Sequence, residues 1–209
     1  GTSVEVTTGS LRIGERNFTV IDTPGINSLH PHSDDERVTR DILLERQPDV
    51  IVQVADAKNL SRALSLTSQL LECGRPLVLC LNMSDEAEQA GVHIDTRELS
   101  RLLGIEVIPT VAPEGEGLSA LKRALLAPRT GAPLVAYGRE IEKGLARVGK
   151  LLPEHLGCAR ALGLMFLAGE PGLEAWATRT YGAAALASIR AIMAETGALD
   201  WRAVTIAQR

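Results

Sequence analysis

Asp22-Thr23-Pro24-Gly25 closes the apolar run Phe18-Thr19-Val20-Ile21, and Asn82-Met83-Ser84-Asp85 closes the run Pro76 to Leu81. A carboxylate delivered at the end of a strand can hold Mg²⁺ through water. A glycine three residues on lets a backbone N–H approach a terminal phosphate with no side chain in the way. In N-x-x-D a fixed carboxylate can accept two hydrogen bonds, from the N1–H and the exocyclic amine of guanine. Adenine has no such pair of donors and would leave the carboxylate unsatisfied, so the motif selects guanine. Asn82 would brace the site through its amide. Thr110-Val111-Ala112, ahead of Pro113-Glu114-Gly115-Glu116-Gly117, offers backbone N–H groups to the guanine O6, that of Ala112 above all. Ser3 adds a hydroxyl that could complete a Mg²⁺ shell. Each cluster alone is weak: the first also fits a plain turn, the second a helix N-cap, and Ser3 any exposed serine. Their order, each at or beside the end of a predicted strand, favours a nucleotide site, because ligands of open α/β sheets lie at the carboxyl ends of the strands.

The elements that must position these residues follow from periodicity. Residues 3–8 and 17–21 are β-rich, and Gly9, Gly14 and Glu15-Arg16 between them read as turn material, which predicts an antiparallel hairpin. Residues 26–33 have no apolar periodicity and predict a mobile loop beside the phosphate site. A helix capped by Ser33 or Asp34 ends at Pro48. Val50 to Ala55 is a β-branched run typical of a parallel strand covered on both faces. A helix from Asn59 to Cys73, a strand from Pro76 to Leu81, a helix from Asp95 or Thr96 to Leu103, a strand from Ile105 to Thr110 and a helix from Leu118 to Leu126 complete the alternation. That order selects a right-handed parallel α/β sheet. Two prolines and a glycine between Ala127 and Pro133 mark a boundary, beyond which residues 140–152, 159–167, 173–181 and 183–195 all read as helices.

Composition narrows the setting. The chain has 209 residues, 45% of them hydrophobic but only 3% aromatic, so the core must be built from Leu, Val, Ile and Ala. A net charge of −4 with interspersed signs excludes the clustered basic patch expected of a nucleic-acid binder. No run approaches the roughly 20 apolar residues needed to cross a bilayer, and no signal peptide opens the sequence, so the chain is expected to be soluble. Cys73, Cys80 and Cys158 form no C-x-x-C pair and predict buried free thiols in a reducing compartment, the cytoplasm.

Taken together, these motifs resemble the cytosolic guanine-nucleotide-binding region of the ferrous iron transporter B (FeoB) family. Gly1-Thr2-Ser3-Val4-Glu5 is similar to that family's G-V-T-V-E switch segment, and Asp22 to Gly25 with Ser28-Leu29 to its D-x-P-G-x-x-S-L run. Asp56-Ala57-Lys58-Asn59-Leu60 with Arg62, and Gln69-Leu70-Leu71-Glu72, resemble D-A-x-N-L-x-R and Q-L-L-E. The resemblance implies a Ras-like GTPase sheet of the α/β class, mostly parallel with an antiparallel edge hairpin, followed by a small all-helical domain. It divides the chain into a GTP-binding domain over residues 1–128 and a helical domain over 129–209, with Trp201 to Arg209 leading toward the membrane channel. The implied ligands are GTP or GDP, Mg²⁺ and a monovalent cation such as K⁺. The nucleotide site falls on Ser3, Asp22, Gly25, Asn82, Met83, Asp85, Val111 and Ala112, and the metal on Ser3 and Asp22. Implied partners are the membrane pore region of the same polypeptide, small FeoA- or FeoC-type proteins and further copies of the module, at the cytoplasmic face of the bacterial inner membrane.

Three departures accompany the resemblance. No G-x-x-x-x-G-K-[ST] occurs in residues 1–209, and the family places that phosphate-cradling loop upstream of Gly1, so truncation is expected rather than loss. Ser3 stands for the usual Thr and keeps the hydroxyl. Val111 stands where Ser is common before the Ala, which is expected to loosen the base loop. No side chain reads as a catalytic base or arginine finger, and none is assigned. His30 and His32 read as a solvated pair in the loop, since two ligands without a carboxylate or cysteine partner make a poor metal site. The leading expectation is a regulatory module that binds and slowly hydrolyses GTP. The alternatives are an interaction domain that keeps the fold without nucleotide, and a soluble GTPase of another family.

Overall fold

The computed structural model describes residues 6–30, 33–152, 158–170 and 172–196. Ser3, His32 and Trp201 to Arg209 lie outside the described residues. The hairpin forms as expected, with β1 (Thr7–Ile13) antiparallel to β2 (Arg16–Asp22) across a turn at Gly14. Three parallel strands make a second sheet in the order β3-β4-β5: β3 (Ile51–Asp56), β4 (Leu77–Asn82) and β5 (Glu106–Pro109). Helices α1 (Asp34–Arg46), α2 (Leu60–Leu71), α3 (Ser84–Gln89), α4 (Thr96–Leu103) and α5 (Leu118–Leu126) connect or follow them. The helix ends carry ordinary signals. Ser33 Oγ accepts from Glu36 N, Asp95 accepts from the N–H groups of Arg97 and Glu98, and Gly104 closes α4 in the left-handed region.

Leu77, Leu79 and Leu81 on β4 are essentially inaccessible, as a central parallel strand requires. β3 departs from the sequence expectation. Ile51 and Gln53 are buried on the α2 side, whereas Val54 is 67% exposed and Val52 37% exposed on the other. Among the described residues β3 pairs only with β4, and β2 only with β1. Val52 and Val54 are therefore bare, and the outer edges of β2 and β3 have no strand partner among the described residues.

Beyond Pro133 the regular elements among the described residues are all helices: α6 (Arg139–Leu151), α7 (Ala159–Leu167) and α8 (Leu173–Thr196), the last broken at Gly182, where φ 84° and ψ 164° are not helical. No helix among the described residues is long and apolar enough to cross a membrane. The largest hydrophobic cluster runs without interruption from Leu71 and Cys73 to Val148, Cys158, Phe166 and Trp176, so the helices share a core with the sheet. The seam also holds charges. Arg160 on α7 donates to Glu72, just past α2, and to Glu142 on α6, while Ala161 N donates to Glu72 O at 3.2 Å. Burial outweighs the neighbouring guanidinium and pushes the Glu72 carboxyl up, whereas the hydrogen bonds from Arg160 hold Glu142 below the usual carboxylate range.

Candidate functional site

The ends of the parallel strands lie side by side. Asp56 is in register with Asn82 across β3 and β4, and Thr110 N donates to Leu81 O at 2.8 Å. Asn82, Asp85 and Ala112 therefore gather at the carboxyl rim of β4 and β5. Asn82 Oδ1 accepts from the Thr110 hydroxyl at 3.1 Å and from Ala112 N at 3.0 Å, which makes it the brace between the two strand ends. Ser84 adds two bonds, from its N and Oγ to Thr110 O. Met83 bridges Asn82 and Ser84 with φ 58°, a left-handed conformation that a side chain adopts only at some cost, and it turns the chain sharply into α3. Asp85 is half-buried in the first turn of α3, and among the described residues its carboxylate accepts no hydrogen bond. Lys58, just beyond β3, bonds Glu86 and lies within the field of Asp56 and Asp85. The Glu86 hydrogen bond raises its ammonium above the usual lysine range.

The base loop is closed by backbone pairing at Val111. The Val111 side chain is buried, and its backbone exchanges two hydrogen bonds of 3.2 Å with Glu116. Gly117 allows this closure. A Cβ there would sit 2.2 Å from Pro109 O, and φ is +77°. The Ala112 N–H assigned to guanine O6 is engaged with Asn82 Oδ1, so a base would share or displace that bond.

Asp22 is the last residue of β2. α5 starts beyond the carboxyl end of β5 and runs back, so Leu126 O lies at the amino ends of the strands, near the place where Leu77 N donates to Arg129 O. Arg16, the first residue of β2, donates to Leu126 O at 2.9 Å. β2 therefore begins near the amino ends of the parallel strands and runs seven residues to Asp22. Asp22 and Gly25 are both exposed, and a Cβ on Gly25 would meet nothing within 4 Å. Ser3, the other metal ligand expected, lies outside the described residues.

The loop after Gly25 has no regular structure, yet it is packed. Gln69 Oε1 accepts from Ser28 Oγ at 3.0 Å and from Leu29 N at 2.6 Å, and Leu29 is buried. His30 is likewise buried, not solvated: its Nδ1 lies 3.4 Å from Glu170 Oε2, and Arg40 of α1 lies 3.7 Å from Glu170 Oε1. No local pattern signals this pairing, because Glu170 follows His30 by 140 positions. No group of three or more His, Cys, Asp or Glu side chains among the described residues could hold a metal.

The family model described as ferrous iron transport protein B matches residues 1–125. The chain belongs to the FeoB family. The Fe(2+) transporter FeoB of Legionella pneumophila strain Paris is 42% identical over 130 residues, which cover 60% of this chain and 17% of the transporter. The structure of the cytosolic domain of L. pneumophila FeoB superposes with a TM-score of 0.76 at 30% identity, covering 94% of this chain and 82% of that one. The S. thermophilus NFeoB bound to GDP.AlF4⁻ and K⁺ gives 0.74 at 29% identity, covering 94% and 77%. This FeoB chain thus has the α/β GTPase fold with appended helices, and it spans about a sixth of the length of the transporter it matches.

Proposed function

We propose that this FeoB region binds guanine nucleotide, hydrolyses GTP slowly and uses the outcome to regulate ferrous iron passage through the membrane part of the transporter. The observation that carries the reading is the gathering of Asp85 and the Asn82–Ala112 brace at the carboxyl rim of β4 and β5; β2, which begins at Arg16 beside Leu126 O, would bring Asp22 to that rim. A half-buried carboxylate that accepts no hydrogen bond among the described residues is the acceptor that guanine N1–H and its amine require, and it discriminates against adenine by the cost of an unmet buried acceptor. Asp22, exposed and next to the loop that ends at Gly25, is the carboxylate suited to a Mg²⁺ held through water, with Ser3 as the second oxygen ligand. A bound Mg²⁺ would neutralise charge on the phosphates. The chain's own part is to hold Asp22 at the rim and the base at Asp85. The L. pneumophila and S. thermophilus proteins are described as a FeoB cytosolic domain and as bound to GDP.AlF4⁻ and K⁺, in agreement with nucleotide and monovalent cation here.

The bare edges of β2 and β3, with the exposed Val52 and Val54 beside them, fit one further strand, and a strand preceding residue 1 that ends in the phosphate-cradling loop would occupy that place. Residues 1–128 then form the nucleotide-binding domain and 129–209 the helical domain. His30 and Arg40, both just downstream of Gly25, meet Glu170 of the helical part, so a change at Gly25 has a direct route across the seam. The test is nucleotide titration of a polypeptide that includes the preceding loop. Asp85→Asn should weaken GDP binding at least about 100-fold. Equal GDP affinity in the two proteins would sink the base-reading assignment.

A further inference from the structure

Asp85 is carried by α3, and α3 is held from two sides. Six residues are too few to keep a helix by internal bonds alone, Ala87 is the one residue it buries, and Met83 at its N-cap makes no side-chain capping bond. Toward β5 the support is Ser84, whose N and Oγ both donate to Thr110 O. Toward β3 it is a lysine.

Asp56 ends β3 in register with Asn82. Its carboxylate oxygens accept from Lys58 N and from Asn59 Nδ2, each at 2.9 Å, and so shape the turn Ala57–Asn59 that follows the strand. From that turn Lys58 crosses to α3, where its Nζ donates to Glu86 Oε2. Glu86 follows Asp85 in the same helical turn. A side-chain bridge therefore runs from the rim of β3 to the residue beside the guanine acceptor.

For folding such a bridge matters little. The Lys58 and Glu86 side chains are 33% and 52% exposed, and ion pairs in water contribute little to stability. For base recognition it matters more, because a carboxylate that accepts from N1–H and from the exocyclic amine must present both oxygens in the plane of the base. A short helix free to turn about Met83 would keep Asp85 near the ring yet lose the second bond.

We propose, on the reading of Asp85 as the guanine acceptor, that Lys58 is a positioning residue for base selection, which acts through Glu86 to fix α3 so that both Asp85 oxygens meet guanine at once. Lys58 itself needs no contact with the nucleotide. Its charge has a second, separable effect: with Asp56, Asp85 and Glu86 all acting on the ammonium, its removal leaves the rim more negative for any nucleotide. Selectivity between bases isolates the first effect from the second.

The test compares GDP with inosine diphosphate, whose base keeps N1–H and lacks the exocyclic amine, in titrations of the intact transporter. K58M should weaken GDP binding about tenfold and inosine diphosphate no more than about threefold, so that the preference for guanine narrows. K58R, which keeps a donor for Glu86, should retain the wild-type preference. E86A should narrow it as K58M does, and the double variant should be no worse than either alone. The inosine nucleotide, still bound, shows that each variant is folded. Equal losses of both nucleotides in K58M would overturn the proposal and leave Lys58 a source of charge alone, and so would losses that add in the double variant. D85N tests the base reading separately. If it loses GDP while K58M keeps full preference, Asp85 reads guanine and Lys58 does not position it. If D85N binds GDP as the wild type does, the base reading fails and the role of Lys58 with it.

Discussion

The two corners of the candidate site are built in opposite ways. At the base corner every backbone turn is fastened. Asn82 ties Thr110 to Ala112, Ser84 ties back to Thr110 O, and Val111 and Glu116 close the loop between them. At the other corner Asp22 and Gly25 are exposed and nothing crowds the glycine. The fastening begins only at Ser28 and Leu29, through Gln69, and at His30, through Glu170. The difference fits the roles proposed for the two corners, purine reader and phosphate sensor. A purine edge is the same in every nucleotide state, so its reader can be rigid. A terminal phosphate is present in one state and absent in the other, so the backbone that senses it must be free to move while its downstream anchor is held.

The largest expected effect tests the rigidity of the base corner. Gly117→Ala puts a methyl 2.2 Å from Pro109 O at a φ of +77°, and neither backbone can yield without opening the Val111–Glu116 pairing. We expect a loss of about 4 kcal/mol of stability, read by urea unfolding. A loss under about 1 kcal/mol would mean that the loop is as free as the Gly25 corner. The next effect tests the anchor. Glu170→Ala leaves the Arg40 guanidinium, 3% exposed, with Asp41 as its remaining acidic partner, and it removes the group facing His30. A cost of about 2–3 kcal/mol is expected, with faster amide exchange at Ser28 to His30 and no change at Val111 or Glu116. Equal acceleration in both loops would break the distinction between the corners. Asn82→Ala removes two bonds from a part-buried acceptor and should cost about 1–2 kcal/mol, with faster exchange at Ala112.

The sequence revealed more of the base corner than of the anchor, for physical reasons. Asn82, Asp85 and Ala112 sit within or next to local signals: an apolar strand, a cap-forming pair, a glycine-bounded turn. The helices α4, α5 and α7 were legible from spacing and from Asp95 and Gly104. α3, only six residues long, was not legible, since a stretch that short carries no periodicity. Val50 to Ala55 read as a strand covered on both faces because its composition says so, but Val52 and Val54 are bare here. The seam was invisible. Glu72 and Arg160 are 88 positions apart and His30 and Glu170 are 140, and residue type alone left His30 solvated although its neighbours bury it.

Gly25→Ala is the smallest perturbation of stability and the sharpest probe of the comparison. A methyl at this position meets nothing within 4 Å, and the backbone is not in the left-handed region, so unfolding should change by less than about 0.5 kcal/mol. Its effect belongs to the liganded state. If the Gly25 N–H approaches a terminal phosphate, the added methyl crowds that approach, whereas the base corner, held by its own bonds, continues to accept the purine. GDP affinity should therefore stay within about twofold while affinity for a non-hydrolysable GTP analogue falls about tenfold or more. Parallel losses for both nucleotides would place Gly25 in general binding and remove the reason for an open corner. A loss of stability comparable to that of Gly117→Ala would show that the corner is closed in solution, and the contrast between the two ends of the rim would vanish.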